Sequence, residues 1–138
     1  MKKRLLMLSL LLVGQQAIAL DSQDQQNYVK HYSEQMLPLV LKKLSSDRPE
    51  MTAKALRSEA ENYVKKMANC QLEGLGLFPE NYREKAILPV AQGQDIMATT
   101  QALNSLMKKD IEEGRLSKDK AAAWIQGAQQ TVQICVNS

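Results

Sequence analysis

Apolar residues recur along most of this chain at spacings of three and four, and alternating apolar and polar runs are nearly absent. That period gathers the apolar set onto one face of an α-helix, whereas a half-buried strand needs a period of two. The long segments are rich in Ala, Leu, Lys, Gln, Glu and Met, which favour helix, and β-branched runs are missing. The pattern predicts an all-α fold, a compact bundle of four to five helices, with four long and one short.

The first helix is predicted to start near Ser22 or Asp24 and to run to about Ser45. Its buried stripe is Tyr28 or Val29, then Tyr32, Met36, Val40 and Leu44. Pro38 lies inside that stripe and has no N–H for the carbonyl of residue 34, so it is expected to kink the helix or divide it. Asp47 reads as the N-cap of a second helix from about Pro49 to Gln71, ending before Gly74. A short third helix is expected from near Pro79 towards Ala91, with Pro89 in its interior. Asp95 reads as the cap of a fourth, bearing Ile96, Thr100, Leu103, Met107 and Ile111, which Gly114 stops. Ser117 can cap a fifth over residues 118–136, which holds the only tryptophan, Trp124.

Both cysteines fall in phase with these stripes. Leu56, Ala60, Tyr63 and Met67 lead to Cys70, and Ala121, Ile125, Ala128 and Val132 lead to Cys135. Two thiols facing a shared core predict a disulfide between Cys70 and Cys135. Closing so long a loop contributes roughly 4 kcal/mol in the chain-entropy model. A zinc site would need about four nitrogen or sulfur donors, and His31 is the single histidine. Cys-x-x-Cys is absent, so neither a metal nor another cofactor is expected.

The first nineteen residues change the setting. Met1-Lys2-Lys3-Arg4 forms a basic start, Leu5 to Gly14 an apolar run, and Ala17-Ile18-Ala19 a small-x-small cleavage pattern. Residues 1–19 read as a signal peptide and 20–138 as a single helical domain, addressed to the periplasm or beyond the cell, where a disulfide persists. Leu20 would follow the cut, so no cysteine is there to take a lipid, and no later run is long enough for a membrane anchor. The chain has 18 basic and 15 acidic residues, and loss of Lys2, Lys3 and Arg4 balances the two. Nucleic-acid binding through a general positive field is thereby disfavoured.

Catalytic patterns are weak. His31 sits between Lys30 and Tyr32 on a helix, and no Gly-x-Ser-x-Gly or phosphate loop occurs. Glu59 and Glu61, Glu80 and Glu84, and Glu112 and Glu113 form carboxylate pairs on predicted helix surfaces. The one enzymatic reading open to these residues is a hydrolase using Glu80 or Glu84 with His31; a non-enzymatic protein is expected instead. The segment Ala123-Trp124-Ile125-Gln126-Gly127-Ala128 resembles the aromatic-Ile-x-Gly helix of periplasmic immunity proteins for secreted amidases, without that family's cysteine framework.

The function expected is binding to a protein partner. Leu72, Leu75, Leu77 and Phe78 are expected in the link between the second and third helices, beside the disulfide. They read either as a connector folded over the end of the bundle or as a partner-binding lip, with Leu77, Phe78 and Tyr82 as candidate contacts. An antagonist or immunity-type inhibitor of a toxic or lytic enzyme is the leading expectation. The alternative is a periplasmic chaperone or secretion-accessory protein that holds a client in a groove containing methionine. The amphipathic stripes also fit a homodimer through one helix face.

Overall fold

Residues 20–138 are described by a computed structural model containing five α-helices: α1 (Ser22–Asp47), α2 (Ala53–Leu75), α3 (Glu80–Ala91), α4 (Ile96–Glu112) and α5 (Lys118–Asn137). The expected signal peptide lies outside the described residues.

Local chemistry sets the helix starts. Asp21 accepts from the Asp24 N–H at 2.8 Å while the Asp24 carboxylate accepts from the Asp21 N–H, a reciprocal capping box that starts α1. Thr52, Asp95 and Ser117 likewise accept from backbone N–H groups at the starts of α2, α4 and α5. The expected cap at Asp47 is not formed. Asp47 instead ends α1, paired with Lys43 at 2.9 Å, and Pro49 lies in the turn before Thr52.

Pro89 lies inside α3 as expected, and α1 runs through Pro38 without dividing. Pro38 and Glu34 are both exposed, so water can replace the donor that the Glu34 carbonyl lacks. α2 also continues past its expected end, through the buried Gly74 to Leu75. Leu72 and Leu75 therefore belong to α2, and the link to α3 is only residues 76–79.

Packing sorts the helices into pairs. α1 lies against α2 and α3, α5 against α2, and α4 against α3. One core cluster joins α1, α2 and α3 around Tyr28, Tyr32, Ala68, Ile87 and Val90. A second joins the later helices around Phe78, Tyr82, Leu103, Met107, Leu116 and Ala121. Gln35 of α1 ties down the turn before α4, donating to the Gln94 carbonyl and accepting from the Ile96 N–H, both at 2.9 Å.

The seam between α2 and α5 is antiparallel and close. Cys70 and Cys135 form the disulfide, with Cα atoms 5.5 Å apart, and Cys70 is fully buried. One turn along, Gly74 faces Ala128 and Val132, where an added Cβ would lie 2.9 Å from the Ala128 carbonyl oxygen and 2.9 Å from the Val132 side chain. Leu77 then packs over Gly127, and Trp124 meets Phe78 and Tyr82 at ring-centroid distances of 6.2 and 6.0 Å. In the opposite direction Lys66 donates to the Ser138 carbonyl at 2.8 Å. A backbone approach this tight requires a residue without a Cβ at position 74.

A polar knot, buried at Tyr82 and Asp110 and exposed at Arg115 and Glu113, closes the far end. The Tyr82 hydroxyl donates to Asp110 at 2.6 Å, and Arg115 donates to the other oxygen of the same carboxylate at 2.6 Å and also pairs with Glu113. The Asp110 carboxyl is held below the ordinary aspartate range by the Tyr82 hydrogen bond and then by Arg115, while the Tyr82 phenol is pushed up by that same bond and by burial.

Candidate functional site

α4 and α5 converge where Met107, Leu116 and Ala121 share a core, and then diverge, because α4 follows α3 while α5 follows α2. The divergence leaves a cleft of about 610 Å³, within the size range of ligand sites. Ile96, Thr99, Thr100, Leu103 and Asn104 form one wall. The other is the C-terminal part of α5, with Ala128, Val132 and Val136 half-buried and Ile125, Gln129, Gln133 and Asn137 exposed at the mouth. Tyr28 and Tyr32 of α1, and Met67, Gln71 and Leu75 of α2, make the floor.

No lining residue carries a charge. The cause is legible along the chain, since residues 96–107 and 121–138 contain no charged side chain although 24% of the whole chain is charged. The floor remains neutral too. Tyr28 and Tyr32 stack with ring centroids 5.7 Å apart; burial pushes the Tyr28 phenol well above its ordinary range and raises that of Tyr32, a shift that Gln71 opposes. The cleft thus offers apolar surface, two un-ionised phenols and a rim of carboxamides. Such a surface excludes ions, which would lose their hydration without gaining a counter-charge.

The candidate residues read from sequence distribute differently. Cys70 and Cys135 are joined. Leu77 is exposed at 47% on the ridge over Gly127, but Phe78 and Tyr82 are core residues, 7% and 5% exposed, and Phe78 also reaches the cleft floor. Of the three expected contact residues only Leu77 is exposed, and the link that carries it is residues 76–79. Helix α2 runs on through residue 75 and turns Phe78 inward against Trp124. The resemblance noted at Ala123–Ala128 has a local structural role, with Trp124 and Gly127 facing the end of α2.

His31 pairs with Glu34 at 3.1 Å on the surface of α1, against Gly93 beyond the end of α3. Glu80 and Glu84 occupy the first half of α3, and Glu80 lines a separate groove with Glu73 and Arg83. His31 and these carboxylates are not brought together. Among the described residues no three His, Cys, Asp or Glu side chains converge in a way that could hold a metal ion. A larger groove, about 820 Å³, runs along the outer face of α1 and α2, but Lys30, Glu34, Glu61 and Lys65 give it charges of both signs and no single-sign field.

The methionines do not form a groove of their own: Met107 is buried, Met97 is exposed and only Met67 reaches the cleft. What sequence reasoning missed is the pairing of two charge-free walls. The signal was the absence of charge itself, in two helices whose amphipathic stripes were otherwise ordinary.

No described helix is long and apolar enough to cross a membrane, and the disulfide fits an oxidising, extracytoplasmic setting. No protein-family model, curated protein or solved structure matches the chain.

Proposed function

We propose that this is an exported binding protein of the periplasm, without catalytic activity, that holds apolar segments of partner polypeptides in the cleft between α4 and α5. It would act as a chaperone or secretion-accessory protein does. The observation that carries the reading is the cleft bounded by two helices free of charge along its length. Apolar burial supplies the attraction, at roughly 25 cal/mol per Å² removed from water, and neutral polar groups at the mouth accept a polypeptide without demanding a particular charge. The basic start and small-x-small pattern of residues 1–19, together with the disulfide, support the periplasmic address.

The antagonist reading keeps one supporting observation, the exposed Leu77 on a ridge clamped close to the disulfide. The two readings use different faces. Thr100 and Asn104 are exposed on the α4 wall, so Thr100→Lys with Asn104→Lys puts two cations into the cleft without disturbing the core. Light scattering from a thermally unfolding client enzyme, with equimolar protein present, should be suppressed by the parent and by Leu77→Ser but not by the double lysine variant. Suppression that survives the lysines and fails with Leu77→Ser would transfer the activity to the ridge.

A further inference from the structure

We propose that the occupant of the cleft is an uncharged segment in extended conformation, with its peptide groups held by a row of carboxamides on α5 and alternate side chains entering the apolar floor. This rests on the polypeptide-binding reading and specifies the conformation and chemistry of what is bound.

The row is Gln129, Gln133 and Asn137, all exposed at the mouth and each four residues from the next. Four residues of α-helix advance about 6 Å. Two residues of an extended chain advance about 6.6–6.8 Å, which is the interval between peptide groups on one edge. The i, i+4 row is inclined to the helix axis by about 26°, which lengthens its spacing slightly and sets the bound segment obliquely across α5. Three rungs therefore stay in register with three successive peptide groups on one edge of a strand.

The chemistry of the rungs fits the same occupant. A carboxamide carries an acceptor oxygen and a donor NH₂, so one rung can serve either the N–H or the C=O of a peptide unit. Asn104 offers the same groups from the opposite wall. An acyl chain would make no use of the rungs, which are exposed and would keep their water. A charged ligand would find no counter-ion, because the lining has none. Side chains of an extended segment alternate between faces, so every second one points down between Leu103 and Val132 while the others face solvent. Recognition through the backbone makes the site tolerant of sequence, with one restriction: a Lys or Asp at an inward position is rejected.

The test uses the disulfide-bonded protein and three fluorescent probes. The first is an uncharged alternating Val/Ser peptide, capped at both ends and about eight residues long, enough to pass all three rungs. The second is the same peptide N-methylated at alternate amides on one edge, and the third is a dodecyl chain on a neutral sugar. Gln129→Met with Gln133→Met removes two carboxamides at nearly constant length from exposed positions, and its thermal midpoint is measured alongside. Anisotropy titrations should show the first peptide bound, the methylated peptide about tenfold weaker, and the double Met variant weakened by a similar factor, with the two losses overlapping when combined. Equal affinity for both peptides, unchanged by the Met substitutions but abolished by Thr100→Lys with Asn104→Lys, would overturn the backbone row and leave the cleft as a polypeptide site. Binding of the dodecyl probe alone, or of none, would overturn both.

Discussion

Gly74→Ala adds one methyl group at the closest point of the seam between α2 and α5. Its Cβ would stand 2.9 Å from both the Ala128 carbonyl oxygen and the Val132 side chain, well inside the roughly 3.5–4.0 Å at which carbon atoms pack favourably. Two terms oppose. Replacing glycine with alanine inside a helix contributes up to about 1 kcal/mol, and less at Gly74 because it sits in the last turn of α2. Overpacking costs about 1–3 kcal/mol. Relief by moving α5 outward is restricted by the disulfide one turn away. Gly127→Ala is the internal reference, since it lies within α5 and its Cβ would meet only the flexible end of Leu77 at 3.2 Å. The variants should differ by about 1–3 kcal/mol, Gly74→Ala being the less stable, which corresponds to a Tm difference on the order of 4 °C per kcal/mol. Urea unfolding followed by Trp124 fluorescence reads the difference, because Trp124 reports the docking of α5 against Phe78 and Tyr82. Repeating it in a Cys70→Ala, Cys135→Ala background should shrink the difference as α5 gains freedom to shift. Equal stabilisation by both alanines would show that α5 does not lie against Gly74, and the geometry of the cleft wall would fall with it.

Oxidised protein should be lighter than its reduced form by about 2 Da, and Cys70→Ala with Cys135→Ala should lower unfolding free energy by about 4 kcal/mol, measured by urea titration. Phe78→Ala should cost about 3–5 kcal/mol in the same assay, whereas Leu77→Ser should stay within about 0.5 kcal/mol; equally small costs would put both side chains on the surface. Asp110 has a lowered folded-state pKa, so its contribution is fully present above its unfolded-state value and is lost as pH falls through the aspartate range. Tyr82 has the opposite sign, its raised pKa giving stability that is lost as pH climbs through and beyond the phenol range. Urea midpoints at neutral and acid pH should show Asp110→Asn destabilised at neutral pH and converging on the parent in acid; a constant gap would refute the assignment.

The fold was readable where local chemistry and period agree. The caps at Asp95 and Ser117, the stripe through Leu103 and Met107, and the phasing of Cys70 with Cys135 are all local signals. Reading failed where tertiary contact overrides a local preference. Gly74 looks like a helix stop until Val132 and Ala128 are known to lie against it. The bidentate contact of Gln35 with the turn before α4 spans about sixty residues and has no local signature. Phe78 and Tyr82 have the composition of contact residues, but their burial depends on where Trp124 of α5 falls. The cleft needs two facts from different levels: absence of charge in residues 96–107 and 121–138, visible in sequence, and divergence of α4 from α5, visible only in three dimensions.

The most direct test of the central claim is a methyl NMR titration of the disulfide-bonded protein, with labelled Ile, Leu and Val, against the uncharged alternating peptide. The account predicts saturable shifts gathered at Ile96, Leu103, Ile125, Val132 and Val136 on the two cleft walls, with Leu39 and Leu77 on the outer surface unmoved. Shifts centred on Leu77, with the cleft methyls silent, would contradict it.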